Sequence, residues 1–240
     1  MRTKLTLAFL VTLVTAVALS QPIMAQEGPR HATGFTWESI GSNTLVAVTR
    51  PWQGATADDT LRYLLYPRGT TPPRGYDGAL AVAVPIDSIV TMSTTFLPHL
   101  EKLGVLETLE AIDSLSYVYS PAVHQRTASG NVAEVGSGSM VDVERVLQIN
   151  PDIALVNSYG SEWDAQPYLI RAGVPTVVSG DWVEETPLGR AEWLLFTALF
   201  YDKLAEAETI FDQIESEYTR MASIARKAES DSRHTLLRAP

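Results

Sequence analysis

The chain has 240 residues, of which 45% are hydrophobic, and it carries a formal net charge of −10 at neutral pH. This length and apolar content allow one or two domains with a buried core. The negative charge disfavours nucleic acid and anionic lipid as partners. The sequence contains no cysteine, which excludes a disulfide framework, a thiolate metal site and thiol catalysis.

The first 25 residues have the pattern of a secretory signal peptide. Arg2 and Lys4 form a basic start, an apolar run follows from Leu5 to Leu19, and small residues come next. We expect cleavage after Ala25, with Ser20 as the alternative site. A retained membrane anchor is the other interpretation, but the apolar run is shorter than the ~20 residues that a membrane span needs. Because no cysteine can take a lipid, we expect a free, soluble product in the periplasm.

Residues 26–78 are predicted to form an N-terminal leader that contains a β-hairpin, and its first residues, 26–34, are polar. The runs "TLVAVTRPW" and "LRYLLYPRG" are rich in strand-forming residues, and the polar loop "QGATADD" lies between them. The stretch "TTPPRGYDG" then breaks the chain. We therefore predict an N-terminal hairpin that precedes the main domain.

Residues 79–201 alternate between strand and helix patterns. The predicted strands are "ALAVAVPI", "SIVTMS", "LEAID", "VAEVG", "PDIALVN" and "VPTVVSG". The predicted helices between them are "TTFLPHLEKLG", "SPAVHQRTAS", "MVDVERVLQI" and "EWDAQPYLIRAG". Apolar, β-branched strands that alternate with helices indicate the α/β class, with a parallel sheet covered on both faces.

The sequence becomes helical from Pro187 to about Ala228, with an interruption at residues 201–203. Beyond the interruption, apolar residues recur at three- and four-residue spacing, which predicts one long amphipathic helix at 202–229. Residues 230–240 then resemble the start of a strand. We therefore expect the chain to continue into a further domain that this sequence does not contain.

The stretch "EETPLGRAEW" places three carboxylates, Glu184, Glu185 and Glu192, within nine residues. Carboxylate groups of this kind can perform general acid/base catalysis, as in glycosidases. The alternative is an ordinary helix start, with Thr186 as the cap and Pro187 at the first helical position. Acidic residues beside a helix N-terminus are also favoured by the helix dipole. Both interpretations remain open at this point.

Polar and aromatic residues follow the predicted parallel strands. Ser93 and Thr94 follow one strand, and Ser137 lies in "GSGSM" after another. Tyr159 and Trp182 lie in the turns "NSYGSEW" and "SGDWVEE". Open parallel sheets bind ligands at the carboxyl ends of their strands, so we expect these turns to form a ligand-binding edge.

The four histidines show no metal-ligand spacing to one another. His99 lies on a short amphipathic helix, and we interpret it as a histidine at the edge of the core. We expect no direct protein ligands to a metal.

The order of these segments resembles a known family. The run "VERVLQINPDIALV" is similar to a segment of the periplasmic substrate-binding proteins that serve ABC importers of ferric siderophores and cobalamin. "SIVTMSTTFLPHLEKLGVLETLEAI" and "GVPTVVSGDWVEETPLGRAEW" also resemble this family, as does the helix that follows. The resemblance covers about residues 80–238.

The resemblance implies a fold and a function. Family members have two α/β lobes joined by a long helix, and they carry a ferric siderophore, cobalamin or haem to a permease in the inner membrane. This sequence resembles the first lobe, residues 79–201, and the linking helix, residues 202–229. The resemblance implies that Glu144 docks with the permease. It implies no catalytic residue and no cofactor, because any metal arrives inside the ligand.

The residues that we expect to bind the ligand combine the strand-end turns with the resemblance. They are Ser93, Thr94, Tyr117, Tyr119, Ser137, Tyr159, Trp182, Glu185 and Arg190. Two other functions remain open. One is a secreted hydrolase that uses Glu184, Glu185 or Glu192, and the other is a ligand-binding lobe of a sensor or surface receptor.

Overall fold

The computed structural model describes the backbone of residues 28–231 and the side chains of residues 28–227. The predicted signal peptide, residues 1–25, lies outside the described residues, as does most of the predicted strand start at 230–240. Among the described residues, no helix is long and apolar enough to cross a membrane.

The leader forms a four-stranded sheet. Its strands are β1 (Phe35–Ile40), β2 (Asn43–Val48), β3 (Leu61–Pro67) and β4 (Leu80–Val84). They lie in the order β1-β2-β3-β4. The β2 and β3 strands pair antiparallel, which confirms the predicted hairpin, and β1 extends it on the far side of β2.

The strand β4 pairs in parallel with β3, so it belongs to the leader's sheet. The sequence pattern predicts this strand among the alternating strands of the α/β region, and that placement is wrong. The difference has a physical reason. In β4 only Val82 is buried, and Ala81 is exposed, whereas the central strands of a doubly covered sheet are buried along nearly their whole length.

The main sheet is parallel throughout. Its strands are β5 (Ile89–Thr91), β6 (Leu109–Ile112), β7 (Ala133–Glu134), β8 (Ile153–Asn157) and β9 (Thr176–Ser179). They lie in the order β7-β6-β5-β8-β9. The described helices are α1 (Leu97–Lys102), α2 (Pro121–Ala128), α3 (Val143–Ile149), α4 (Ala165–Arg171), α5 (Pro187–Leu199) and α6 (Leu204–Asp231). The predicted α/β class is thereby confirmed.

Two apolar clusters cover the two faces of the main sheet. On one face, Val90 and Val156 pack with Val146 of α3 and Leu169 of α4. On the other face, the strand residues join α1, α2, α5 and the leader's sheet in one continuous cluster. The ring of Trp193 on α5 lies 4.6 Å from the ring of Phe35 on β1, measured between centroids. The leader's sheet therefore completes the core.

Helices α5 and α6 are separated by a short break at residues 201–203, as predicted. Asp202 adopts a left-handed conformation with φ of 55°, which ends α5 and redirects the chain. The first turns of α6 bury Ala207 and Phe211 against α5, but farther along the helix Tyr218 and Met221 are exposed.

Candidate functional site

The carboxyl ends of the parallel strands lie along one edge of the main sheet. From β5 the chain passes to β6 and β7 on one side, and then to β8 and β9 on the other side. The turns after β5 and β8 therefore leave the sheet in opposite directions, which opens a crevice between them. Ser93 and Thr94 lie on one side of this crevice, and Tyr159 lies on the other.

A buried carboxylate organises the turn after β8. Asp164 Oδ2 accepts hydrogen bonds from Ser158 Oγ at 2.9 Å, from the Tyr159 backbone N–H at 2.8 Å and from the Ser161 backbone N–H at 3.1 Å. These bonds fold the turn tightly and direct its large side chains outward. Tyr159 is 67% exposed and Trp163 is 66% exposed, so this turn presents two aromatic rings to solvent.

An aromatic pair joins the turns after β8 and β9. The ring centroids of Tyr159 and Trp182 are 4.8 Å apart, with an angle of 46° between the planes. The indole Nε1–H of Trp182 donates to the Ser158 carbonyl at 3.2 Å. The Asn157 side-chain amide, in turn, donates to Asp181 at 2.8 Å. The structure thus brings Tyr159 and Trp182 together as one surface.

Thr94, Tyr117 and Tyr119 line a second concave region, a pocket of about 370 Å³. It lies between the start of α1 and the start of α2. Ser120, which caps α2, donates a hydrogen bond to Glu101 on α1 and so ties the two helices together. Tyr119 is 92% exposed, so its ring has almost no contact with the rest of the described chain.

Ser93 and Ser137 occupy different environments. The Ser93 hydroxyl caps the following turn, since it accepts from the Thr95 backbone N–H at 3.3 Å. Ser137 is exposed and makes no capping bond. The neighbouring Gly136 has φ of +75°, and a Cβ there would lie 2.6 Å from the Met140 carbonyl oxygen. Glycine is therefore required to fold this turn.

Two carboxylates of "EETPLGRAEW" have a role that the sequence did not predict. Glu192, which has no exposed surface, accepts backbone hydrogen bonds from Arg30 and His31 at 2.6 Å and from Ala32 at 2.8 Å. Glu184 accepts from the next two backbone N–H groups, those of Thr33 and Gly34, both at 2.8 Å. We name residues 30–34 the clasp.

The clasp is also fixed by side chains. The indole of Trp193 donates to Glu184 at 3.2 Å. Arg30 forms ion pairs with Asp212 at 2.6 Å and with Glu215 at 3.1 Å, both on α6. Glu184 and Glu192 thus serve as acceptors that join the start of the described chain to α5 and α6. Because their oxygens are occupied, neither carboxylate is free for the acid/base role that the sequence left open.

Glu185 and Arg190 lie beside these carboxylates but are exposed. The Arg190 Nε–H donates to the Glu184 carbonyl oxygen at 2.8 Å, which braces the turn before α5. The Thr186 hydroxyl caps α5 by accepting from the Gly189 N–H at 3.0 Å. The helix start that the sequence predicted at Thr186 and Pro187 is therefore present.

Unpaired polar atoms lie at the ends of two central strands. Thr91 Oγ1, at the end of β5, and Asp113 Oδ1, just after β6, are buried and have no hydrogen-bond partner among the described residues. Burial raises the pKa of Asp113, and the nearby carboxylate of Glu134 raises it further. The described residues contain no cluster of His, Cys, Asp and Glu that could hold a metal ion.

Glu144 lies in the first turn of α3, on the same side of the sheet as the strand-end turns. Its side chain is exposed, and it forms no hydrogen bond or ion pair with another described residue. Asp142, two residues earlier, caps the helix by accepting from the Arg145 N–H at 2.9 Å. Glu144 is thus not needed to start α3.

These features define a class of fold: an open, parallel α/β sheet with polar and aromatic turns along one edge. Residues 89–239 match the family described as Periplasmic binding protein, and the chain belongs to that family. The resemblance noted over residues 80–238 is thereby confirmed.

Three curated relatives come from Methanocaldococcus jannaschii. Two are uncharacterized lipoproteins, 27% identical over 58% of this chain and 26% identical over 64% of it. The third is an uncharacterized protein, 23% identical over 57% of this chain. The matches cover 35%, 40% and 43% of these relatives, respectively. The chain therefore spans less than half the length of the curated relatives that it matches.

Several solved structures are similar at low identity. A periplasmic heme-binding protein from Pseudomonas aeruginosa is 20% identical, with a TM-score of 0.48, and the match covers 61% of this chain and 50% of that one. A petrobactin-binding protein from Bacillus subtilis is 17% identical, also with a TM-score of 0.48, over 60% and 48% of the two chains. The family assignment rests on the sequence match over residues 89–239 and not on these structures.

Proposed function

We propose that this chain is a ligand-binding lobe of an extracytoplasmic solute-binding protein. In this proposal it captures an iron–siderophore, cobalamin or haem-like chelate in the periplasm, and the complete protein delivers the chelate to an ABC permease in the inner membrane. The observation that carries the proposal is the family match, which extends from β5 into α6. The ligand classes come from the family resemblance of the sequence.

The arrangement of the strand-end turns supports this function. Thr94, Tyr117 and Tyr119 line a pocket, while Tyr159 and Trp182 form an aromatic pair on the next turns. Exposed aromatic rings suit large ligands with flat or apolar surfaces, because each ring buries a large area on contact. We assign these five residues, with Ser93 and Ser137, to the ligand-facing edge.

Glu185 and Arg190 complete the proposed site as rim residues. Both are exposed at the turn before α5. The Nε–H of Arg190 is already bonded to the Glu184 carbonyl, which leaves its terminal nitrogens to face the ligand. The metal is part of the ligand in this proposal, so the lobe needs no cofactor of its own.

Ligand binding can be measured by quenching of tryptophan fluorescence. We expect at least one metal chelate of the three classes to quench the emission saturably, because Trp182 lies at the proposed edge. Tyr159→Ala should weaken that binding by about tenfold, in the range seen for central aromatic residues of interfaces. Tyr218→Ala, which alters an exposed tyrosine on α6, is the control. If none of the chelates bound, the proposal would be wrong.

Permease docking by Glu144 is a separate proposal with its own test. Its exposed carboxylate has no partner among the described residues, so it is available for an arginine on a partner protein. We expect Glu144→Arg in the complete protein to impair uptake while ligand affinity stays unchanged. Loss of ligand binding together with uptake would assign Glu144 to folding instead.

A further inference from the structure

The five turns at the carboxyl edge carry an unusual distribution of charge. They comprise residues 92–96, 113–120, 135–142, 158–164 and 180–186. Together they contain seven carboxylates and not one lysine, arginine or histidine. A ligand that enters this edge therefore meets a negative field, which repels anions and attracts cations.

Hydrogen bonding separates these carboxylates into two groups. Asp142, Asp164, Asp181 and Glu184 accept hydrogen bonds that shape the turns. Glu162 and Glu185 are exposed and accept no hydrogen bond from another described residue. Asp113 is the intermediate case, because its Oδ1 is buried without a partner. Glu162 and Glu185 are not needed to fold the turns, so their charge is available to a ligand.

Two arginines beside the turn before α5 are engaged in hydrogen bonds. Arg190 donates from Nε to the Glu184 carbonyl at 2.8 Å. Arg50 donates to the hydroxyl of Thr33, in the clasp, at 3.0 Å, and its carbonyl oxygen lies against Gly180. Both guanidinium groups are held at the turn before α5 and the clasp, where Arg190 adds one positive charge to the rim. The other four turns have no cation of their own to offset their carboxylates.

Large apolar side chains are exposed on the same turns. Tyr117, Met140 and Trp163 are exposed by 69%, 81% and 66%, respectively, and Tyr119 and Tyr159 are also exposed. These side chains come from three different turns, and a Cβ on Gly138 would lie 3.1 Å from the Trp163 carbonyl, which places the turns after β7 and β8 in contact. The edge thus combines large apolar groups with negative charge.

We propose that the ligand of this edge has no net negative charge and presents an apolar or aromatic face. A neutral or cationic metal chelate, such as a ferric trihydroxamate or a corrinoid, fits this description, whereas a polyanionic tris-catecholate does not. This inference rests on the proposed function, since it narrows the ligand class of the same site. The aromatic rings supply the area that contacts the ligand, and the unpaired carboxylates disfavour ligands with a net negative charge.

The test compares three probes on the same chain. These are ferrioxamine B, a cationic ferric trihydroxamate; cyanocobalamin, a neutral corrinoid; and ferric enterobactin, a trianionic tris-catecholate. We expect the cationic or the neutral probe to bind at least about tenfold more tightly than the trianionic one, a difference of about 1.4 kcal/mol. Tighter binding of ferric enterobactin would overturn the inference but leave the proposed function standing. Binding of none of the probes would overturn both.

Two substitutions make the charge argument specific. Glu162→Lys places a cation in the turn after β8, and we expect it to shift the preference toward ferric enterobactin by about three- to tenfold. Glu107→Lys makes the same change of charge at an exposed position before β6, at the opposite edge of the sheet. We expect this control to shift the preference by less than about twofold. Equal shifts in the two variants would refute the proposed role of local charge.

The apolar contact has its own variant. Trp163→Ala removes an exposed indole whose ring makes no aromatic contact with another described residue. We expect it to weaken the preferred probe by about fivefold or more, while Tyr218→Ala on α6 leaves affinity unchanged. Unchanged affinity in Trp163→Ala would remove this ring from the ligand surface and contradict the apolar part of the inference.

Discussion

At the scale of single residues, the two buried glutamates have the strongest structural consequences. Glu184 and Glu192 together accept hydrogen bonds from five consecutive backbone N–H groups, those of residues 30–34. A buried carboxylate is stable only when its oxygens have partners, and buried N–H groups need acceptors in the same way. The clasp and the two glutamates therefore require each other.

We expect Glu192→Gln to lower the free energy of unfolding by about 3 kcal/mol. Glutamine offers one acceptor oxygen where three N–H groups converge, and its amide N–H₂ would point at other donors, which leaves buried groups unpaired. Urea unfolding followed by circular dichroism measures the change. Glu185→Gln, at an exposed position in the same stretch, should stay within about 0.5 kcal/mol of the original protein. Similar values for the two variants would contradict the role of the clasp.

His99 gives the second prediction at this scale, because burial lowers its pKa to about 4. Its Nδ1 lies 2.9 Å from the Thr197 hydroxyl on α5. An unfolded histidine has a pKa of about 6.5, so the unfolded chain binds more protons than the folded chain between these values. Linkage then requires that stability be fully present above pH 6.5 and lost as the pH falls toward 4.

We therefore expect His99→Gln to flatten the dependence of stability on pH in that window. The free energy of unfolding, measured in urea at several pH values from 4 to 7, should rise less steeply in the variant than in the original chain. His124→Gln is the matched control, since that histidine is exposed. If the free energy of unfolding depended equally on pH in His99→Gln and in the original chain, His99 would not be the group that causes this dependence.

At the scale of elements, the contact between the two sheets depends on a tyrosine. Tyr63 on β3 is buried, and its hydroxyl accepts a hydrogen bond from the backbone N–H of Val178 on β9 at 2.8 Å. β9 is the last strand in the order of the main sheet, so this N–H has no neighbouring strand to bond. The leader's sheet therefore protects an edge that would otherwise hold an unpaired donor.

We expect Tyr63→Phe to destabilise the fold by about 1–3 kcal/mol, because the Val178 N–H would stay buried without an acceptor. Hydrogen exchange should report the same change locally, as faster exchange of the Val178 amide. Tyr66→Phe, on the same strand at a half-buried position, removes a hydroxyl without a described partner and should have little effect. If the Val178 amide exchanged equally slowly in both variants, the hydroxyl would not be its acceptor.

The elements also differ in how far sequence predicts them. The apolar periodicity of α6 and the buried runs of β8 and β9 are local signals, and they placed these elements within a few residues of their bounds. The pairing of β4 with β3 depends on a contact between two strands that could each pair elsewhere. The hydrogen bonds from the clasp to Glu184 and Glu192 join residues more than a hundred positions apart in the sequence. Backbone N–H groups carry no side-chain identity, so no sequence pattern marks them as partners.

The candidate site was predictable to a similar extent. Topology places the strand-end turns at one edge, so Tyr159 and Trp182 could be expected near each other, and their rings do lie in contact. The orientation of Ser93 could not be read from the sequence, because its hydroxyl turns back to cap its own segment. Side-chain direction depends on such local bonds, which several neighbouring residues can supply equally well.

At the scale of the whole molecule, the leader and the α/β region share one core. A single apolar cluster contains Phe35 and Trp37 of the leader, Ile89 and Leu155 of the main sheet, and Trp193 of α5. The family match begins only at residue 89, so the leader lies outside the matched residues. In this chain the α/β region nevertheless depends on the leader to bury many of its apolar side chains.

We expect a chain that starts at residue 79 to lose cooperative folding. Without the leader, the rings of Trp193 and Phe196 are exposed and two buried carboxylates lose their donors, at a combined cost comparable to the total stability of a domain. A chain that starts at residue 28 is the control and should fold. Thermal unfolding of the two chains, followed by circular dichroism, measures whether each unfolds cooperatively. A cooperative transition at the same temperature in both would show that the leader is an independent unit.

The clasp also predicts which parts of this sequence change together among relatives. Glu184 and Glu192 are separated by seven residues, and residues 30–34 supply the backbone N–H groups that bond to both carboxylates. A relative without the leader but with both glutamates would hold two carboxylates that have lost their backbone donors, which is strongly destabilising. We therefore expect leader and glutamate pair to be gained and lost together across the family. The residues that a relative carries at the positions of Glu184 and Glu192 would then indicate whether it has a leader folded onto the lobe.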